Sequence, residues 1–314
     1  MIRFAVAVAF LAAIQDEDFD SARKKFPAEV TRALLAGEIP APQGFDDAIA
    51  KKLGADRLKV LRTGAAEVTA AVMFLTIIVK TARQSAEPHS PYEKFIFGAF
   101  FWFLVQTVFD AVFFFAKATA ASQQQLIQRI ALLDGPLRDI QLLGSAALII
   151  AGVSQRFIPA VYGLASPAKE RQTLIFWLIN GSLLLDIASY VLVLTTRHPV
   201  FAIGLEISYL LMLAWAVLLV KQLRIFSRPG ESERTFKFIR AAYTWLLVSM
   251  GMMPFFIVYG VLTHQNFAHS YMGAHRHAFT VGFISMMILG VSSKVVPILA
   301  GVDAKQASSL WGPF

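Results

Sequence analysis

Phe95-Ile-Phe-Gly-Ala-Phe-Phe-Trp-Phe-Leu-Val-Gln-Thr-Val-Phe109 runs without a single charge, and its reading decides the solvent in which this chain folds. A helix that is apolar all round has no polar face to give to water, so its outer surface must meet lipid. The rest of the chain agrees. Of 314 residues, 56% are hydrophobic, 27 are Phe and only 16% are charged, whereas soluble domains carry about 25% charge. Apolar windows recur near residues 64–80, 95–116, 140–162, 173–195, 200–220, 238–262 and 277–301, each close to the ~20 residues with which a helix crosses ~30 Å of hydrocarbon. The predicted fold is all-α: a polytopic transmembrane helical bundle of about seven or eight spans over residues 63–303, with residues 304–314 as a cytoplasmic tail.

Ahead of the bundle, the apolar stretch Ile2 to Ile14 has Arg3 at its start and Asp16-Glu17-Asp18 after it. It reads as a signal peptide or a short first span within residues 1–15. Residues 16–62 have the composition of a small extramembrane segment, with apolar positions at helical spacing in Ser21 to Leu35 and Phe45 to Leu58.

Orientation follows from the loops. One set carries Lys80, Arg83, Lys94, Lys169, Arg171, Lys221, Arg224, Arg228, Arg234 and Lys237, and the opposite set carries Lys117, Arg129 and Arg197. The richer set is expected to be cytoplasmic, which puts the C-terminus inside and residues 16–62 outside. The formal charge of +8 is then a topology signal. Basic residues scattered over loops do not make the stripe that nucleic acid needs, so the expected partners are the lipid bilayer and a redox partner or other membrane subunits.

Arg138 to Gly163 and Arg276 to Gly301 repeat one another at an offset of 138 residues. Gly144 matches Gly282, Gly152 matches Gly290, Val153-Ser154 matches Val291-Ser292, Arg156 matches Lys294, Pro159 matches Pro297 and Gly163 matches Gly301. One spacing kept on two helices predicts an internal, parallel repeat. Its glycines allow close helix approach, and its prolines end or kink the helix.

Cysteine is absent, so any metal or haem must rest on His, Met or carboxylate ligands. Five of the six histidines, His198, His264, His269, His275 and His277, fall at the predicted outer face, and His89 falls at the inner one. His277 opens the apolar run Ala278 to Leu289. An unpaired imidazole is costly there, so a metal, a haem iron or a carboxylate is expected beside it. His275 and His277 cannot face the same way, because two residues of helix turn through about 200°. Asp110, Asp186 and Glu206 lie in the outer halves of their spans, with Arg138 and Arg276 at the outer ends of the repeated helices. These groups form either an internal ion-pair network or a polar cavity open to that face.

The run His275-Arg-His-Ala-Phe-Thr-Val-Gly-Phe283 with Gly290-Val291 and Pro297, and its earlier counterpart Arg138-Asp-Ile-Gln-Leu-Leu-Gly144 with Gly152-Val-Ser-Gln-Arg-Phe-Ile-Pro159, resemble the NnrS family, bacterial multi-span membrane proteins associated with haem and copper and with the nitric oxide response. The resemblance spans residues 64 to 301. It implies haem and/or copper (heme in the alternative spelling) as cofactor, His277 as the leading ligand, and His275 and Arg276 beside it. His198, His264 and His269 would be further ligands from adjacent loops. In the first copy Asp139 stands where the second has His277, and Leu143 stands where a further family histidine is expected. Two other functions compete: a transporter or channel with a path lined by Asp110, Asp186 and Glu206, and a noncatalytic membrane subunit. Gly-x-Ser-x-Gly, His-Glu-x-x-His and phosphate-loop patterns are missing from the chain, so no catalytic residue is assigned.

Overall fold

A computed structural model describes residues 45–85, 90–120, 122–227, 236–264 and 269–301. Among the described residues every regular element is helical, and seven helices are long and apolar enough to cross a membrane. They are α1 (Phe45–Gln84, apolar over Arg62–Gln84), α2 (Glu93–Ala118), α3 (Gln124–Tyr162), α4 (Lys169–Thr196), α5 (Val200–Gln222), α6 (Phe236–Thr263) and α7 (Ser270–Leu299). Trp177, Leu262 and Leu299 leave more than half of their surface exposed. In water that would be a standing cost, but lipid tails are as apolar as these side chains.

Two helices begin earlier than their apolar runs. α3 starts at Gln124 rather than near residue 140, and α7 at Ser270 rather than near residue 277. Arg138 and Arg276 therefore lie within continuous helix, not at helix ends. Hydropathy falls where polar side chains cluster, yet the backbone ladder continues through them and even carries Pro136 inside α3. The segment Phe45 to Leu58 is likewise no separate helix, because α1 runs unbroken from Phe45 to Gln84. Ile2 to Ile14, Ser21 to Leu35, His89 and residues 304–314 lie outside the described residues.

The chain forms two compact units. In the first, Met1–Ala70 with Asp110–Ile130, a Cβ on Gly64 would come within 2.9 Å of the Ala111 methyl. Arg129 donates to the Ala116 carbonyl and to Thr119 Oγ1, which ties the start of α3 to the end of α2. The second unit, Ala71–Phe109 with Ala131–Phe314, buries Trp215, Tyr162, Tyr243, Phe95, Phe279 and Phe283. Within it α4 and α5 form a hairpin that closes tightest at Gly204, where a Cβ would lie 2.5 Å from Ser189 Oγ.

α3 and α7 each contain a π-helical segment, Ile140–Ala147 and Ala278–Ser285, separated by the same 138 residues as the repeated motif. The fifth residue of each is a glycine packed under a tryptophan. A Cβ would meet Trp102 at 2.8 Å from Gly144 and Trp245 at 2.5 Å from Gly282. Two turns on, Gly152 meets Phe95 at 2.8 Å and Gly290 meets Ile239 at 2.6 Å by the same measure. Beyond the helix ends, Gly163 and Gly301 take φ of 62° and 68°, a left-handed conformation that glycine alone adopts without strain.

Ser227 follows α5 in the loop that carries Arg224. If that loop is cytoplasmic, as its basic residues predict, a cysteine introduced at Ser227 will resist an impermeant thiol reagent in intact cells. Ready labelling would invert the orientation.

Candidate functional site

His275 sits in α7 just ahead of the π segment and is 5% exposed. Its Nδ1 lies 3.0 Å from the Ser249 carbonyl oxygen and 3.0 Å from Ser249 Oγ on α6. Ser249 Oγ in turn donates to the His275 carbonyl at 3.3 Å. A carbonyl oxygen only accepts, so Nδ1 must carry the proton of this contact. In the neutral ring that leaves the lone pair on Nε2, and no hydrogen bond occupies Nε2 among the described residues.

His277, two residues on, points the other way. It is exposed, and its Nδ1 rests 2.8 Å from the Gly273 carbonyl one turn back. The inward imidazole is thus His275, and the carbonyl of its own helix supplies His277 with the partner its apolar surroundings called for. His198 is exposed at the α4–α5 turn, where Nδ1 accepts the Val200 N–H at 3.3 Å. His264 is exposed at the end of α6 with φ of 54°. His269 opens the helical segment His269–His277. Among the described residues no three His, Cys, Asp or Glu side chains stand close enough together to hold a metal ion.

A polar cluster lies on the same helices. Asp139, at the entry to the first π segment, lies beside Asp186 of α4, close enough for the two carboxyl groups to interact. Asp186 is 3% exposed and also accepts from Ser208 Oγ of α5 at 3.4 Å. Arg276 adds its positive charge beside Asp139 and contacts Asp134 at 3.9 Å. Asp134 also pairs with Arg138 at 3.5 Å, one turn along α3. Tyr190 closes the cluster over Gly135, donating to the Ala131 carbonyl at 2.8 Å. Glu206 Oε2 and Arg276 Nε are buried without a partner among the described residues. Asp110 belongs to the first unit and is half-buried on α2.

Among the described residues, Arg138 and Arg276 both pair with Asp134. The spacing of Asp134 and Arg138, four residues apart on one helix, was a legible signal for half of that arrangement. Ser249 and Tyr190 had no such signal, since only tertiary packing brings them to the site.

The family model described as NnrS protein matches residues 50–309. The chain belongs to the NnrS family. The NnrS match takes in both π segments, His275 and the carboxyl–arginine cluster, and it is wider than the 64 to 301 marked out by the motifs. No curated protein and no solved structure matches the chain. With seven helices suited to spanning a bilayer, this is an NnrS family membrane protein.

The carboxyl pair carries a stability prediction. Asp186→Ala removes the carboxylate that Ser208 Oγ reaches at 3.4 Å, while Ser208 keeps its bond to the Leu205 carbonyl, and should destabilise by about 0.5–1.5 kcal/mol. Asp186→Asn keeps an acceptor oxygen for Ser208 and should cost much less. Thermal unfolding in detergent distinguishes them, and equal losses would show that the hydrogen bond contributes nothing.

Proposed function

We propose that this NnrS protein binds haem in the membrane, acts in nitric oxide or respiratory redox chemistry, and uses His275 as its iron ligand. One observation carries the reading: a buried imidazole whose Nδ1–H is held by the Ser249 carbonyl and whose Nε2 has no hydrogen bond among the described residues. Ligating histidines are oriented in this way, with the far ring nitrogen donating to a carbonyl that fixes tautomer and tilt. Haem iron takes a single imidazole on one face, which this residue can supply. Copper asks for several nitrogen or sulfur donors around one ion, and among the described residues no three His, Cys, Asp or Glu side chains converge. A single oriented imidazole is the donor that haem needs. When bound, the iron would supply one-electron and diatomic-ligand chemistry. The chain's own part is to hold Nε2 in place, and to keep water from the ring through the buried α6–α7 contact.

The same reading includes an internal duplication. It is supported by the common offset of the two motifs and the two π segments, by the paired tryptophans, and by the two left-handed glycines. In that register Leu137 corresponds to His275, and both are buried, at 1% and 5% exposure. The first copy has a leucine at the inward position, so one imidazole site per chain follows. His277, the ligand implied by family resemblance, corresponds to Asp139 and lies on the other side of its helix.

The test is absorbance. Purified chain titrated with haem should develop a Soret band that saturates at one equivalent, and no band with haem and copper both supplied would end the ligand reading. A second reading, a transporter or channel, draws on the Asp139–Asp186 pair, since intramembrane acids mark ion paths. Ion flux into proteoliposomes that is lost in Asp186→Asn would favour it.

A further inference from the structure

We propose that the chain carries a specific seat for one anionic phospholipid, its phosphate held by Arg83, Lys94 and Lys169 and an acyl chain laid along α1. The proposal does not depend on the cofactor reading. The end of α1, the start of α2 and the start of α4, all within the second unit, enclose a cavity of about 510 Å³. Among the described residues three cations line it, against one carboxylate, Glu93, which accepts the Ser90 N–H at 3.0 Å. The wall is left with an excess of positive charge that a phosphodiester would neutralise. Lys94 is half-buried and fixed: its ammonium donates to Thr173 Oγ1 and lies 5.9 Å from the centre of the Phe176 ring. Nearby, Arg156 stacks on Tyr92 at 5.3 Å, the kind of aromatic and basic pairing found at the headgroup level of membranes.

A neighbouring groove of about 320 Å³ favours a lipid over a free anion. It shares Val79 and Arg83 with the charged cavity and continues past Leu75, Val72 and Leu104. From residue 83 back to residue 72, α1 covers about 16 Å at 1.5 Å per residue, a length that an acyl chain can follow. Inorganic phosphate would use the first cavity and leave the second without an occupant.

The experiment uses the full purified chain, with native mass spectrometry reporting retained lipid after exchange against phosphatidylglycerol or phosphatidylcholine. Phosphatidylglycerol should be retained preferentially. Removing a surface cation costs about fivefold in anionic-lipid affinity, so Lys94→Gln combined with Lys169→Gln should lower retention about 25-fold. Arg at both positions should restore it, and Lys221→Gln, which removes a charge outside the cavity, should leave it unchanged. Should the double glutamine variant fold poorly, Leu75→Trp fills the groove with every cation intact and should also displace the lipid. Equal retention of both lipids, an equal loss in Lys221→Gln, or displacement of the lipid by inorganic phosphate alone would each overturn the proposal.

Discussion

Purified His275→Ala should carry no haem: with haem supplied, its Soret absorbance should stay at baseline, while His277→Ala, His198→Ala and His264→Ala keep the parent band. The difference lies in burial and in the ring's second contact. Of these four histidines, His275 alone combines a ring 5% exposed with an Nδ1 fixed at 3.0 Å from a carbonyl on a neighbouring helix. His277 is exposed and tied to its own helix, and His198 is spent on capping the turn. Ser249→Ala makes a graded control. It removes the hydroxyl but keeps the backbone carbonyl that orients the imidazole, so haem affinity should fall by about tenfold at most, the low end of what outer-shell partners contribute. Retention in His275→Ala together with loss in His277→Ala would transfer the ligand role to the exposed ring.

Gly282→Leu should be the most damaging single glycine replacement in the bundle. A Cβ at this position would lie 2.5 Å from Trp245 Cγ and 2.7 Å from Trp245 Cβ, so the clash reaches an atom bonded to the neighbouring backbone. A rotamer change alone cannot relieve it. Overpacking by a few methylenes costs about 1–3 kcal/mol, and leucine at this contact should reach or exceed the top of that range. Gly290→Leu should be milder, because its nearest neighbour is the flexible tip of Ile239. Gly181 offers the opposite case: nothing lies within 4 Å of its added Cβ, and Gly181→Ala should stabilise by about 0.5–1 kcal/mol through helix propensity. Melting of the detergent-solubilised variants ranks them, and a Gly282→Leu that melts with the parent would mean that α6 and α7 do not pack at this point.

Most of the bundle was readable in advance because lipid imposes a simple rule on composition. A run such as Phe95 to Phe109 can be stable only as a span, and all seven apolar windows coincide with helices. Helix starts were less readable, since polar residues that pair with one another in the bundle, such as Asp134 with Arg138 and Arg276, look like loop when read one at a time. The sequence did not show which of His275 and His277 is the buried ring, for a geometric reason. The apolar run after His277 suggested that this ring faces inward, but that run belongs to a π segment, whose wider turn changes which residues share a face with those before it. The matching motifs suggest which residues correspond, yet they could not show which of them point inward. Only the burial of Leu137 and His275 does that.

The two π segments also make alignment a matter of chain length. A π turn is closed by a bond to the fifth residue rather than the fourth, so it absorbs an additional residue, and one residue of α-helix is worth about 100° of rotation. Were Ala278–Ser285 to close as ordinary α-helix with every residue kept, the two helical halves would stay sound but would no longer agree in phase. With Gly290 still seated on Ile239, the upstream half would turn His275 off Ser249 by roughly a quarter of a circle. No side-chain substitution could restore that register, because the missing quantity is angular. The imidazole's aim is thus stored in a count of backbone units some distance along the helix.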